Sequence, residues 1–292
     1  ALGLLTGAGS IGLLFPPCLP VILYAIIASI DINQMFLGGL LPGTLMVLAA
    51  SIWGIARSPR AAGGNAGKFQ WTDAKSALWD AKWELLLPVV ACAALFSGYA
   101  TAVEASAITA LYAFIVETWV YRDLKITRDV PRVMAECGLL VGAILLILGV
   151  ALGFTGYLIQ AQVPEQLIAW VQASVHSPLL FLLSLNIFLL LVGCLMDIFS
   201  AIIVVVPLIV PIAQQFGIDP IHLGIIFLTN LEIGYSTPPV GLNLFISSFR
   251  FEKPVVKLYT AALPFLAILL IALLIITYVP QLSLWLVHAV TN

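Results

Sequence analysis

The chain has 292 residues, of which 62% are hydrophobic and 9% charged, with a mean hydropathy of +1.13 and a formal net charge of −2. That composition excludes an ordinary soluble globular domain, and the chain reads as an all-α integral membrane protein whose surroundings are the lipid bilayer. No enzymatic activity, organic cofactor or nucleic-acid partner is expected.

Apolar runs of about 20 residues, the length needed to cross a hydrocarbon core of ~30 Å, recur along most of the chain. They cover residues 2–30, 35–56, 85–102, 105–121, 137–156, 179–193, 201–213, 221–249 and 259–279. The 201–213 run is too short to cross alone. All twelve Lys and Arg residues fall into three clusters: Arg57, Arg60, Lys68, Lys75 and Lys82; Arg122, Lys125, Arg128 and Arg132; Arg250, Lys253 and Lys257. The positive-inside rule places these in the cytoplasm, and the connections without Lys or Arg, including residues 154–177, outside. Charge alone allows either four crossings between the second and third clusters or two crossings plus a re-entrant hairpin. Pro207 and Pro211, together with the shortness of the second arm, favour the hairpin. The expected order is a broken helix over 1–31, a span over 32–57 and a cytoplasmic loop with an amphipathic helix over 58–84. Helices over 85–160, an outer connection over 161–177 and the hairpin over 178–216 follow. A second broken helix over 217–250 and a C-terminal span over 258–292 complete the chain.

Two stretches repeat. "GAGSIGLLFPPCLPVILY" (residues 7–24) aligns with "TNLEIGYSTPPVGLNLFI" (residues 229–246) at an offset of 222 positions, Pro16 to Pro238. Each carries Gly and a Pro-Pro pair, which interrupt a helix by freeing carbonyls and permitting unusual dihedrals. The charge pattern gives the two spans opposite directions, so the repeat is inverted. Broken helices at matching positions of an inverted repeat form ion and anion sites in secondary transporters, with carbonyls meeting Na⁺ and amides an anion.

Five stretches in chain order, "GSIGLLFPP", "SGYATAVEASAITALYAFIVETWVYRDLK", "LLLVGCLMDIFSAIIVVVPLIVPIAQQFGIDPIHLGII", "NLEIGYSTPPVGLNLF" and "LPFLAILLIALLIITYVPQLSLWLV", resemble the large membrane subunit of tripartite ATP-independent periplasmic (TRAP) transporters. The resemblance covers nearly the whole chain. It implies Na⁺-coupled import of carboxylate-bearing organic acids across the bacterial inner membrane by an elevator mechanism. It further implies a periplasmic substrate-binding protein and a small membrane (Q) subunit as partners. It also implies that an N-terminal hairpin and scaffold helices precede residue 1, so the sequence is expected to be a C-terminal portion.

Candidate Na⁺ contacts are Gly12, Phe15 and Pro17 at the first break, Gly193 and Asp197 at the hairpin tip, and Gly234, Thr237 and Gly241 at the second break. Thr237, just before Pro238, offers a carbonyl and a hydroxyl to a hard cation. Asp197 is a costly charge at membrane depth, but its expected direct role is a helix cap, with Gly193 and neighbouring carbonyls closer to the ion. Ser10, Ser200, Ser236 and Asn243 are candidate substrate contacts, although Ser and Asn also hold transmembrane helices together. Glu232 ranks below the backbone groups. Glu104 is expected to cap or pair within the scaffold. His176, His222 and His288 are isolated in sequence, and the four cysteines have no ligand spacing. An intramembrane enzyme would need convergent reactive side chains, and an ion-coupled anion transporter without a binding protein is the nearer alternative.

Overall fold

The computed structural model describes residues 11–16, 18–57, 71–96, 100–162, 166, 177–238 and 241–291. Among them the regular structure is helical, with no strand. A 3₁₀ turn (Ile11–Leu14) leads to α1 (Leu19–Ile27), α2 (Ile32–Arg57), α3 (Trp71–Asp80), α4 (Lys82–Phe96) and α5 (Ala102–Ile115), the last continued by a π turn (Val116–Val120). There follow α6 (Asp129–Gln160), α7 (Pro178–Leu195), α8 (Ile198–Gln215), α9 (Pro220–Gly234), α10 (Leu242–Phe251), α11 (Val255–Tyr278) and α12 (Gln281–Thr291). Five described helices are long and apolar enough to cross a membrane: α2, Val103–Val120, α7, α8 and α11. The chain divides into two compact units, Arg57–Ala143 and the pair Ala1–Ala56 with Ile144–Asn292.

The larger unit is built around α9. Every residue from Ile221 to Gly234 is buried, as expected of a helix that is apolar on all faces. Pro220 at its first position and Asp219, whose carboxylate accepts the Ile221 N–H at 2.7 Å, start the helix after the left-handed Gly217. Helix α7 packs along α9, α8 packs on α1 and α9, and α11, α12 and the 3₁₀ turn close the remaining sides. The Leu14 carbonyl presses on α2 where a Cβ at Gly39 would lie 2.5 Å from it, so only glycine fits there. The two hairpin arms are joined by Met196 and Asp197, both extended, and the rings of Phe181 and Phe216 stack at 4.6 Å where the arms begin and end.

The second arm differs from expectation. Instead of a short run over 201–213, α8 is an 18-residue helix from Ile198 to Gln215, about 27 Å long and among the five apolar enough to span. Its cap at Asp197 starts it earlier than hydropathy suggests, and Pro207 and Pro211 are carried inside it. The C-terminal stretch over 258–292 is likewise two helices, separated at Val279 and Pro280.

In the smaller unit, the expected amphipathic helix is split at Ala81 into α3 and the start of α4. The Lys82 ammonium lies 4.0 Å from the Trp79 ring centroid. Glu104 closes a capping box with Thr101 at the start of α5, and Tyr112 donates to the Trp83 carbonyl at 2.9 Å, tying α5 to α4.

Candidate functional site

The second break begins where α9 runs into Pro238. Proline has no N–H for the Gly234 carbonyl, so the last turn tightens: Ser236 N–H donates to Ile233 O at 3.0 Å and Thr237 N–H to Gly234 O at 2.9 Å. The Thr237 hydroxyl donates back to Ile233 O at 2.9 Å. On the far side Gly241 adopts a left-handed conformation (φ 43°) as the residue before α10. A Cβ there would meet the Thr237 carbonyl at 2.9 Å, so both dihedral and space call for glycine. A backbone bond spans the break: Asn243 N–H donates to the Tyr235 carbonyl at 3.0 Å.

The hairpin tip lies against this break. At Gly234 a Cβ would fall 2.5 Å from the Gly193 carbonyl carbon, so α7 and α9 touch backbone to backbone. Asp197 caps α8, accepting from Ser200 N–H at 3.0 Å and from the Ser200 hydroxyl at 2.6 Å. The Tyr235 phenolic oxygen accepts the Ile198 N–H at 2.8 Å. Between tip and break lies a cavity of about 80 Å³ lined by Gly193, Cys194, Leu195, Met196, Asp197, Tyr235 and Gly241. Its size suits a cation with a water or two, or one carboxylate group.

Most of its lining surface is apolar, and its oxygen ligands would come from Asp197, Tyr235 and the backbone. The carbonyls at the C-terminal end of α7 lack helical partners, and that end carries the negative pole of the helix dipole. Asp197 adds a carboxylate, while two amides of the α8 N-terminus are already taken by Asp197 and Tyr235. The balance favours a hard cation. Among the described residues no three His, Cys, Asp or Glu side chains cluster as metal ligands, so a transition-metal site is not formed there.

Of the residues singled out in the sequence, Gly193, Asp197 and Gly241 line this cavity, Gly234 supports it, and the Thr237 carbonyl abuts Gly241. Thr237 itself is not in the lining. Ser236 is fully buried and accepts from Asn243 Nδ2 at 3.4 Å, and the Ser200 hydroxyl is spent on Asp197. Gly12 accepts the Phe15 N–H at 3.1 Å, the Phe15 ring packs where a Cβ at Gly43 would sit, and neither residue lines the cavity. Ser10 and Pro17 lie outside the described residues.

Two features escape sequence reasoning. Tyr235 carries no signal beyond its place beside the Pro-Pro pair, yet it bonds to both neighbouring elements. His222, isolated in sequence, is buried, with Nε2 3.2 Å from the Thr277 carbonyl and Nδ1 3.2 Å from the Ser283 hydroxyl. A carbonyl only accepts, so Nε2 carries the proton, and in the neutral ring Nδ1 then accepts from the Ser283 hydroxyl.

Comparison with known proteins gives this geometry its context. The family described as "Tripartite ATP-independent periplasmic transporter, DctM component" matches residues 1–282. The chain is 38% identical over 286 residues to a C4-dicarboxylate TRAP transporter large permease protein from Pseudomonas aeruginosa, covering 97% of this chain and 66% of that protein. It is 32% identical to an isethionate TRAP transporter permease protein, DctMQ, from Oleidesulfovibrio alaskensis, over 97% of this chain and 44% of that protein. It is 30% identical to a sialic acid TRAP transporter large permease protein from Vibrio cholerae, over 97% of this chain and 66% of that protein. The chain thus spans about two thirds of the length of the first and third of these relatives. It belongs to the DctM component family of the tripartite ATP-independent periplasmic transporters, a family of transport permeases rather than enzymes.

Proposed function

We propose that this chain is the transport-site portion of a TRAP large permease that imports carboxylate-bearing organic acids across the bacterial inner membrane, coupled to Na⁺. The observation that carries this reading is the cavity between the hairpin tip and the second helix break, where the end of α7, Asp197, Tyr235 and Gly241 line a space that fits a cation with a water or two. Na⁺ held there offsets the charge of the tip and of the arriving carboxylate, so ion and substrate bind together. The first break, with Gly12 and Phe15, and with α1 packed on α8 and α9, forms the inverted counterpart. The hairpin and both breaks then move as one elevator against the rest of the permease.

The partners follow from family membership. A periplasmic binding protein delivers substrate, and a small membrane subunit completes the permease, separate or fused as in the DctMQ relative. The substrates in the relatives' names differ in shape but include dicarboxylate and sialic acid, both carboxylates.

The test is uptake by the complete permease with its partner proteins in proteoliposomes. A C4-dicarboxylate or sialic acid should accumulate only with an inward Na⁺ gradient. Equal accumulation with K⁺ in place of Na⁺ would exclude the coupling.

A further inference from the structure

We propose that Tyr235 is a positioning residue of the transport site: its phenolic oxygen clasps the N-terminus of α8 to the broken helix and thereby sets the affinity of the cavity for its cation. The inference rests on the cation reading above and adds a residue that neither the sequence pattern nor the family description assigns.

The geometry places Tyr235 at a three-way junction. Its main chain ends α9, its carbonyl accepts the Asn243 N–H that starts α10, and its side chain accepts the Ile198 N–H that starts α8. No other single residue in the described break bonds to both neighbouring helices. The bond from Ile198 satisfies an amide that Asp197 does not reach, because Asp197 spends its oxygens on Ser200. The hairpin tip therefore cannot withdraw from the break without depriving a helix amide of its partner. Tyr235, Met196 and Gly241 line the same cavity, so withdrawal of the tip dismantles the cavity wall. Tip closure and cation binding are in this way a single equilibrium: whatever opens the clasp weakens the cation site, and the cation holds the clasp shut. The phenol acts through α8 and is not itself a required cation ligand.

Two substitutions remove the bond from opposite sides. Tyr235→Phe keeps the ring and deletes the acceptor. Ile198→Pro deletes the donor at the first helical position, where proline is well tolerated, and the preceding residue already has extended dihedrals (Asp197, φ −72°, ψ 157°).

The experiment measures alkylation of a single cysteine at the tip, Met196→Cys, in the complete purified permease otherwise free of cysteine, across a Na⁺ titration. Tyr235→Phe should raise the Na⁺-free labelling rate about fivefold to tenfold and move the Na⁺ concentration for half-protection upward by a similar factor. Ile198→Pro should reproduce the faster labelling, and the double variant should label no faster than either single one. A purely structural loss would lower yield without moving the Na⁺ midpoint. Tyr235→Phe labelling at the parent rate, with and without Na⁺, would overturn the clasp. If Na⁺ fails to protect the parent while Tyr235→Phe still labels faster, the clasp stands and its link to a cation is overturned.

Discussion

Gly193 and Gly234 show how much a single hydrogen atom in place of a methyl can decide. The crossing is asymmetric. A methyl at Gly234 would meet the Gly193 backbone at 2.5 to 2.8 Å, where nothing can yield, whereas a methyl at Gly193 would meet Leu231 Cα and its side chain at 3.1 Å. Gly234→Ala should therefore cost about 1–3 kcal/mol of strain and Gly193→Ala distinctly less. Thermal unfolding of the two variants in detergent should show the larger drop in midpoint for Gly234→Ala, and the reverse order would contradict the contact. The sequence makes both glycines conspicuous through their apolar neighbours, but not that they touch, since their contact is made between distant stretches. The hydroxyls are hidden in the same way: those of Thr237 and Ser200 are already engaged with local groups, which their spacing does not reveal.

At the scale of elements, α7, α9 and α11 are joined by a buried polar chain. Asn230 Nδ2 donates to Asn186 Oδ1 at 2.7 Å, and Asn186 Nδ2 donates to the Thr277 hydroxyl at 3.1 Å. His222 meets the Thr277 carbonyl near the end of α11, one of the carbonyls that a helix terminus leaves unpaired, and extends the chain to α12 through the Ser283 hydroxyl. In an apolar surrounding the cost falls on the partner left behind, so Asn186→Leu should destabilise by about 1 kcal/mol. The double variant Asn186→Leu/Asn230→Leu should lose less than the sum of the two single losses. Strict additivity in detergent unfolding would show that the two amides do not depend on one another. The second helix break was legible because Pro-Pro and Gly leave a mark in a one-dimensional pattern. The polar chain was not, because a lone Asn or His in an apolar run has the same sequence signature whether it meets a partner or not. The length of α8 was misjudged for a related reason: its start is set by the Asp197 cap, a hydrogen-bonding event to which hydropathy is blind.

For the whole molecule, composition was enough to specify an apolar helical protein, and the clustering of basic residues predicts a direction for it. Single cysteines at Lys68 and Gln162, in an otherwise cysteine-free complete permease, should react with impermeant reagent in intact cells only at Gln162. Reaction at Lys68 alone would invert the topology. The site could be foreseen only as two stretches, because the hairpin tip and the second break are brought together by packing on α9 rather than by proximity along the chain. Whether Asp197 is more than a helix cap tests the central claim most directly, and Asp197→Asn separates the two roles, since Asn caps as well as Asp but carries no charge. A unit charge about 4 Å from a cation in watery surroundings is worth about 1 kcal/mol, or about fivefold in affinity. The Na⁺ concentration giving half-maximal uptake in Asp197→Asn proteoliposomes should therefore rise about fivefold, with the permease folded and inserted as the parent is. An unchanged Na⁺ requirement would leave Asp197 a cap and take the cation out of this cavity.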